Sequence, residues 1–207
     1  MIIAQRGWKI ILAAVFGGLL LGVVARLWMR WISTDPEFSW SGTGFIIGAF
    51  TIFTTTQAIV FVLRRRTASK RVTTIVRGGG TILSLPIFGG AGVIMLPTVA
   101  LTSIALWQKR MDRKVRIALC VIGSIIPILQ IKGFITDFGW TIATLGRALL
   151  FIAIYVIVVI LIKPTVSPFK FGSEIKVAKG RRNIWIVLFI VFVTLLFLFF
   201  TIGIQSN

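Results

Sequence analysis

The sequence predicts an all-α polytopic transmembrane bundle, with five crossing helices plus a re-entrant hairpin at 81–107; six simple crossings is the alternative. Three observations predict it. Hydrophobic residues fill 57% of the 207 positions and charged residues only 14%, which is more apolar surface than a water-soluble fold of this size can hide. Long apolar stretches alternate with short polar connections fenced by tryptophan and arginine, the pattern of helices anchored at two membrane surfaces. Seventeen of the 23 Lys and Arg residues fall in three connections, 64–77, 109–116 and 163–182. Cytoplasmic loops carry that excess, so the chain reports its own orientation.

The first stretch, 10–27, follows Arg6 and Lys9 and has the outline of a signal peptide, with Val23-Val24-Ala25 as a conceivable cleavage site. It runs on into Arg26-Leu27-Trp28-Met29-Arg30-Trp31, which reads as an interfacial anchor, so the first helix is expected to remain uncleaved. Ala14, Gly18 and Gly22 recur every fourth residue, as do Gly44 and Gly48 in the second stretch, 44–63. Smooth stripes of this kind let helix backbones approach closely, and the expected contact is between these two helices, with a second subunit as the alternative. The second stretch also carries a polar band, Thr51, Thr54, Thr55, Thr56 and Gln57. Threonine hydroxyls can bond back to their own helix, whereas the Gln57 amide needs partners elsewhere. A packing role and a substrate path are both open for Thr54, Thr55 and Gln57.

The third stretch, 81–107, contains Pro86, Pro97 and Gly89-Gly90-Ala91-Gly92, which argue for a break or reversal. Charge argues the same way. Six single crossings from a cytoplasmic N-terminus would leave 109–116 and 163–182 outside, against the positive-inside tendency. A stretch that enters and returns, turning at 89–92, keeps all three basic connections inside. It is too short for two full crossings at about 1.5 Å per residue, so two short arms sheltered by other helices are expected. The fourth stretch, 117–131, is short and carries Pro127, predicting a kinked helix with Arg116 and Lys132 reaching toward the two headgroup layers. The fifth, 141–162, holds Arg147 about two turns in, an intramembrane charge and hence a candidate functional residue. A sixth, 184–204, closes the series. All seven tryptophans, at 8, 28, 31, 40, 107, 140 and 185, are expected at interfaces.

The whole chain is read as a single integral membrane domain. Thr34-Asp35-Pro36-Glu37-Phe38-Ser39-Trp40 and Thr136-Asp137-Phe138-Gly139-Trp140 occupy matching places after the first and fourth spans, which raises a weak internal repeat, 1–107 and 108–207.

Chemistry is scarce. There is no histidine, one cysteine (Cys120) and five carboxylates, none deep in a span, so general-base, zinc and haem chemistry lack their usual residues. Asp35 and Glu37 could hold a cation weakly or simply pair with Arg26 or Arg30. No catalytic template fits, and no enzyme, cofactor, metal or nucleic-acid partner is expected. The net charge of +18 lies beside spans, where anionic headgroups are the nearer partner. The residues expected there are Arg64, Arg65, Arg66, Lys70 and Arg71, then Lys109, Arg110, Arg113 and Lys114, then Arg181 and Arg182. The functional expectation is a non-catalytic multi-pass cell-membrane protein with a cytoplasmic N-terminus, an accessory or assembly subunit packing with itself or with larger partners. The alternative is a small-solute transport component that binds its substrate between helices.

Overall fold

The computed structural model describes residues 2–33, 38–66, 69–91, 93–108 and 110–168. All regular structure among them is helical: α1 (Ile2–Ile32), α2 (Trp40–Arg66), α3 (Lys70–Ser84), α4 (Pro86–Ala91), α5 (Met95–Trp107), α6 (Arg113–Phe138), α7 (Ile142–Leu161) and α8 (Lys163–Val166). Five helical segments are long and apolar enough to cross a membrane: Gly7–Ile32, Trp40–Arg65, Arg71–Gly89, Arg113–Phe138 and Ile142–Val166; Met95–Trp107 is apolar but shorter. The protein is a membrane-embedded helical bundle. The sixth apolar stretch, 184–204, lies outside the described residues.

Three of these segments depart most from the boundaries expected from sequence. The first, α1, spans Ile2–Ile32 where 10–27 is expected. The helix around Pro127 extends over 26 residues rather than fifteen, because its polar ends remain helical beyond the apolar run. The third segment begins at Lys70, not at 81, and runs through a one-residue interruption at Leu85 to Ala91 before residues 93 and 94 turn the chain into α5. Its first arm is therefore longer than a short re-entrant arm, about 33 Å at the helical rise against about 20 Å for α5.

The early start of α3 has a physical cause in its two faces. Thr73, Gly80 and Ser84 are buried and Arg77 is half-buried, one stripe at helical spacing, while Val72, Ile75, Ile82 and Leu83 are exposed. Ile75 is 72% exposed. In water this helix would be inside out; in lipid its apolar face meets acyl chains and its polar face turns to the protein.

The core runs through the crossings of α1, α2, α4, α5, α6 and α7, with Trp28, Phe50, Phe53, Ile87, Val99, Phe134, Phe151 and Val158 among its buried residues. Trp28 stacks on Phe151 at 5.3 Å and meets Phe134 edge-on at 6.0 Å. The tryptophans divide by burial within the protein. Trp28 and Trp107 are buried, and their indole N–H groups donate across helices to the carbonyls of Arg147 (2.9 Å) and Val159 (2.9 Å). Trp8, Trp31, Trp40 and Trp140 are exposed, and Trp185 lies outside the described residues.

Candidate functional site

Polar side chains gather at two places. The first is the end of the bundle where α2 finishes, α3 begins and α5 finishes, and where α7 breaks at Ile162 and α8 stops at Val166. A helix that ends inside a membrane protein leaves carbonyls with no partner of their own. Three side chains from three other elements take them. Arg64 of α2 donates to the Pro164 carbonyl, to Ser167 Oγ (3.1 Å) and to the Pro168 carbonyl (3.4 Å). Arg77 of α3 donates to the carbonyls of Thr165 (2.8 Å) and Val166 (3.2 Å), and Gln108, just past α5, reaches the same Val166 carbonyl at 2.9 Å.

Beneath this clamp, Gln57 is 2% exposed and its amide is used on both sides. Its Nε2 donates to Ser84 Oγ (2.8 Å), Thr165 Oγ1 donates to its Oε1 (2.7 Å), and Ser84 Oγ donates in turn to the Gly80 carbonyl (2.6 Å). Gly80 matters because a Cβ there would stand 2.6 Å from Val60 and 3.3 Å from Thr165 Oγ1; only glycine lets α3 come this close. Nearby, Lys163 lies over the Trp107 ring at 4.7 Å, and Arg116 donates to the Ala105 carbonyl at 2.6 Å.

The second gathering is at the opposite end, where α1 finishes and α7 begins. Arg26 donates to Thr43 Oγ1 at 3.1 Å, tying α1 to α2; the acids expected beside it, Asp35 and Glu37, lie outside the described residues. Arg147 lies against the rings of Phe138 (3.9 Å) and Trp31 (5.6 Å). Its Nε is buried with no hydrogen-bond partner among the described residues.

Of the predicted packing stripe, Gly18 and Gly22 are buried against α2: a Cβ on Gly18 would meet Thr51 Cα at 2.7 Å, and one on Gly22 would meet Ile47 Cα at 2.8 Å. Ala14 offers its carbonyl to Thr54 Oγ1 at 2.8 Å. The expected counterpart is corrected. A Cβ on Gly44 or Gly48 meets nothing within 4 Å among the described residues; α1 packs on the face of α2 formed by Ile47, Phe50, Thr51 and Thr54. Thr55 Oγ1, with Thr98 Oγ1 and Ser103 Oγ of α5, is buried and unpartnered among the described residues.

Among the predicted basic residues, Arg65, Arg71, Arg110, Arg113 and Lys114 are exposed and Arg64 is half-buried; Arg65 lies over Phe61 at 4.2 Å. The side chains of Arg66 and Lys70, and residues Lys109, Arg181, Arg182, Asp35 and Glu37, lie outside what is described. Sequence reasoning did not single out Arg77, Ser84, Gln108 or Thr165. The signal for the first two was present in the helical spacing of Thr73, Arg77, Gly80 and Ser84, a polar stripe on an otherwise apolar helix. No family model, curated protein or solved structure matches this chain.

Proposed function

We propose that this is a non-catalytic membrane protein, an accessory or assembly subunit that packs within the bilayer against itself or larger partners. The observation that carries the reading is the closed bonding of Gln57. The fully buried Gln57 amide, a group that a substrate path could use, has its nitrogen and its oxygen each engaged, by Ser84 and Thr165, so it holds α2, α3 and α8 together. The open Gly44 and Gly48 positions supply the complementary feature, a smooth strip of α2 that another helix can approach. Purification in mild detergent tests this. A stoichiometric partner chain or a stable homo-oligomer is the expected result, and a partner-free monomer overturns it.

The alternative, a small-solute transport component, is favoured by one observation, the unpartnered buried hydroxyls of Thr55, Thr98 and Ser103. A solute that raises thermal stability in wild type but not in Ser103→Ala would support it.

The topology that goes with the reading places the N-terminus and the basic connections in the cytoplasm, against anionic headgroups, with the chain from Lys70 to Trp107 entering the membrane and returning to the same side. Its support is that Arg77, before the stretch, and Gln108, after it, bond to one and the same carbonyl, Val166. Binding to anionic vesicles in preference to neutral ones, weakened by salt, is the expected behaviour of the basic connections.

A further inference from the structure

Arg147 is the described charge whose surroundings least explain it. Arg64, Arg77, Arg116 and Arg26 each donate to a carbonyl or hydroxyl. Arg147 donates to nothing among the described residues, and its Nε is out of reach of solvent. It does not point outward. Phe151 and Ile154, four and seven positions further along α7, are buried, and residues at that spacing share one helix face. The side chain therefore enters the crevice where the end of α1, the end of α6 and the start of α7 converge.

That crevice is built around it. Gly146 lets Trp31 lie on α7, since a Cβ there would stand 3.0 Å from the indole ring. Trp28 fixes the Arg147 carbonyl through its indole N–H at 2.9 Å, and Phe138 covers the guanidinium from α6. The two rings hold the cation and orient its plane, but they leave its N–H donors unused. The described carboxylate at this end, Asp137, is exposed and no ion pair joins it to Arg147. A half-buried guanidinium whose donors meet no described residue suits a planar or tetrahedral oxyanion. Arg147 sits about 8 Å from the start of α7, at the depth where headgroups meet hydrocarbon, and there the abundant oxyanion is phosphate.

We propose that Arg147, between the Phe138 and Trp31 rings, binds a phosphate group at the end of the bundle opposite the basic connections. The site is independent of the lipid contacts proposed for those connections. A phospholipid headgroup and a free or solute-borne phosphate share the chemistry, and the test separates them. Thermal unfolding in detergent is followed with dioctanoyl phosphatidylcholine, which carries a phosphate but no net charge for the basic end to attract, with dioctanoylglycerol, which lacks the phosphate, and with inorganic phosphate. Wild type should be stabilised by the phosphatidylcholine beyond the dioctanoylglycerol, and Arg147→Met should raise its half-saturating concentration by about tenfold or more, the scale of one lost charged hydrogen bond. A response to inorganic phosphate that Arg147→Met also abolishes assigns the site to free phosphate instead of a headgroup. Arg147→Met keeps an unbranched stem between the rings and removes no hydrogen bond to a described residue, so it should fold; Arg147→Gln serves as the second variant under the same criteria. The proposal is overturned if no phosphate compound stabilises wild type, or if the variants respond as wild type does.

Discussion

At the residue scale, the arginines divide by what they touch. Arg77 and Arg71 are six positions apart on α3, yet Arg77 is half-buried on the Thr165 and Val166 carbonyls while Arg71 is exposed. Arg77→Met should therefore lower detergent stability by about 1–3 kcal/mol, the cost of leaving the part-buried Thr165 carbonyl unmet while Gln108 still holds that of Val166. Arg71→Met should stay within about 0.5 kcal/mol, as surface changes do. Parallel melting curves of the two variants check this, and equal losses would show that the clamp contributes nothing. Gln57→Leu strips partners from both Ser84 and Thr165. Interhelical hydrogen bonds in membranes average about 0.6 kcal/mol and reach about 1.7, so a loss near the upper figure is expected, because two such bonds go together. That Gln57 would need partners was legible from its chemistry. That those partners would be Ser84 and Thr165 was not, because they are 27 and 108 positions away and only the folded chain brings them together.

At the element scale, α1 and α2 show what small residues specify and what they leave open. Gly18→Leu would drive a side chain into the backbone of α2 at Thr51, and the dispersion contacts along the pair would be lost. A clear fall in melting temperature of the purified protein is expected. Gly44→Leu meets open space among the described residues, so it should leave that melting temperature unchanged and instead weaken assembly with whatever helix covers the strip. Two glycine stripes were visible in the sequence, but their pairing was not. In water the buried face of a helix announces itself by being apolar; in lipid both faces are apolar, and periodicity no longer tells which stripe meets which neighbour. The inverted helix α3 escaped for the related reason that a basic, glycine-rich segment resembles a loop until its polar residues are seen to share one face. The spans themselves were legible because the bilayer fixes their length and composition.

At the scale of the whole molecule, the question is on which side of the membrane each connection lies. The clamp joins α2, α3, the end of α5 and α8 at one end of the bundle, and Arg116 links the start of α6 to α5 beside it. The described charges of the basic connections 64–77 and 110–116, with Lys163, then lie toward one end of the bundle, where under the proposed topology each Lys or Arg near an anionic leaflet would gain about 1 kcal/mol. Placing residues 109–116 on the far side would forfeit that gain and pull Gln108 away from Val166. Single cysteines introduced at Ser39, Ser69, Met111 and Ser206, after Cys120 is replaced, read the arrangement in intact cells. Ser39 lies at the end of the bundle opposite the clamp, next to the Arg26–Thr43 contact through its bond to the Thr43 hydroxyl, and it should react with an impermeant thiol reagent. Ser69, at the start of α3, and Met111, between α5 and α6, should react only after the membrane is opened. Ser206, outside the described residues, should label from outside if 184–204 crosses. Met111 is the deciding position: labelling there in intact cells would mean that 81–107 passes through the membrane and that the shared basic face does not exist.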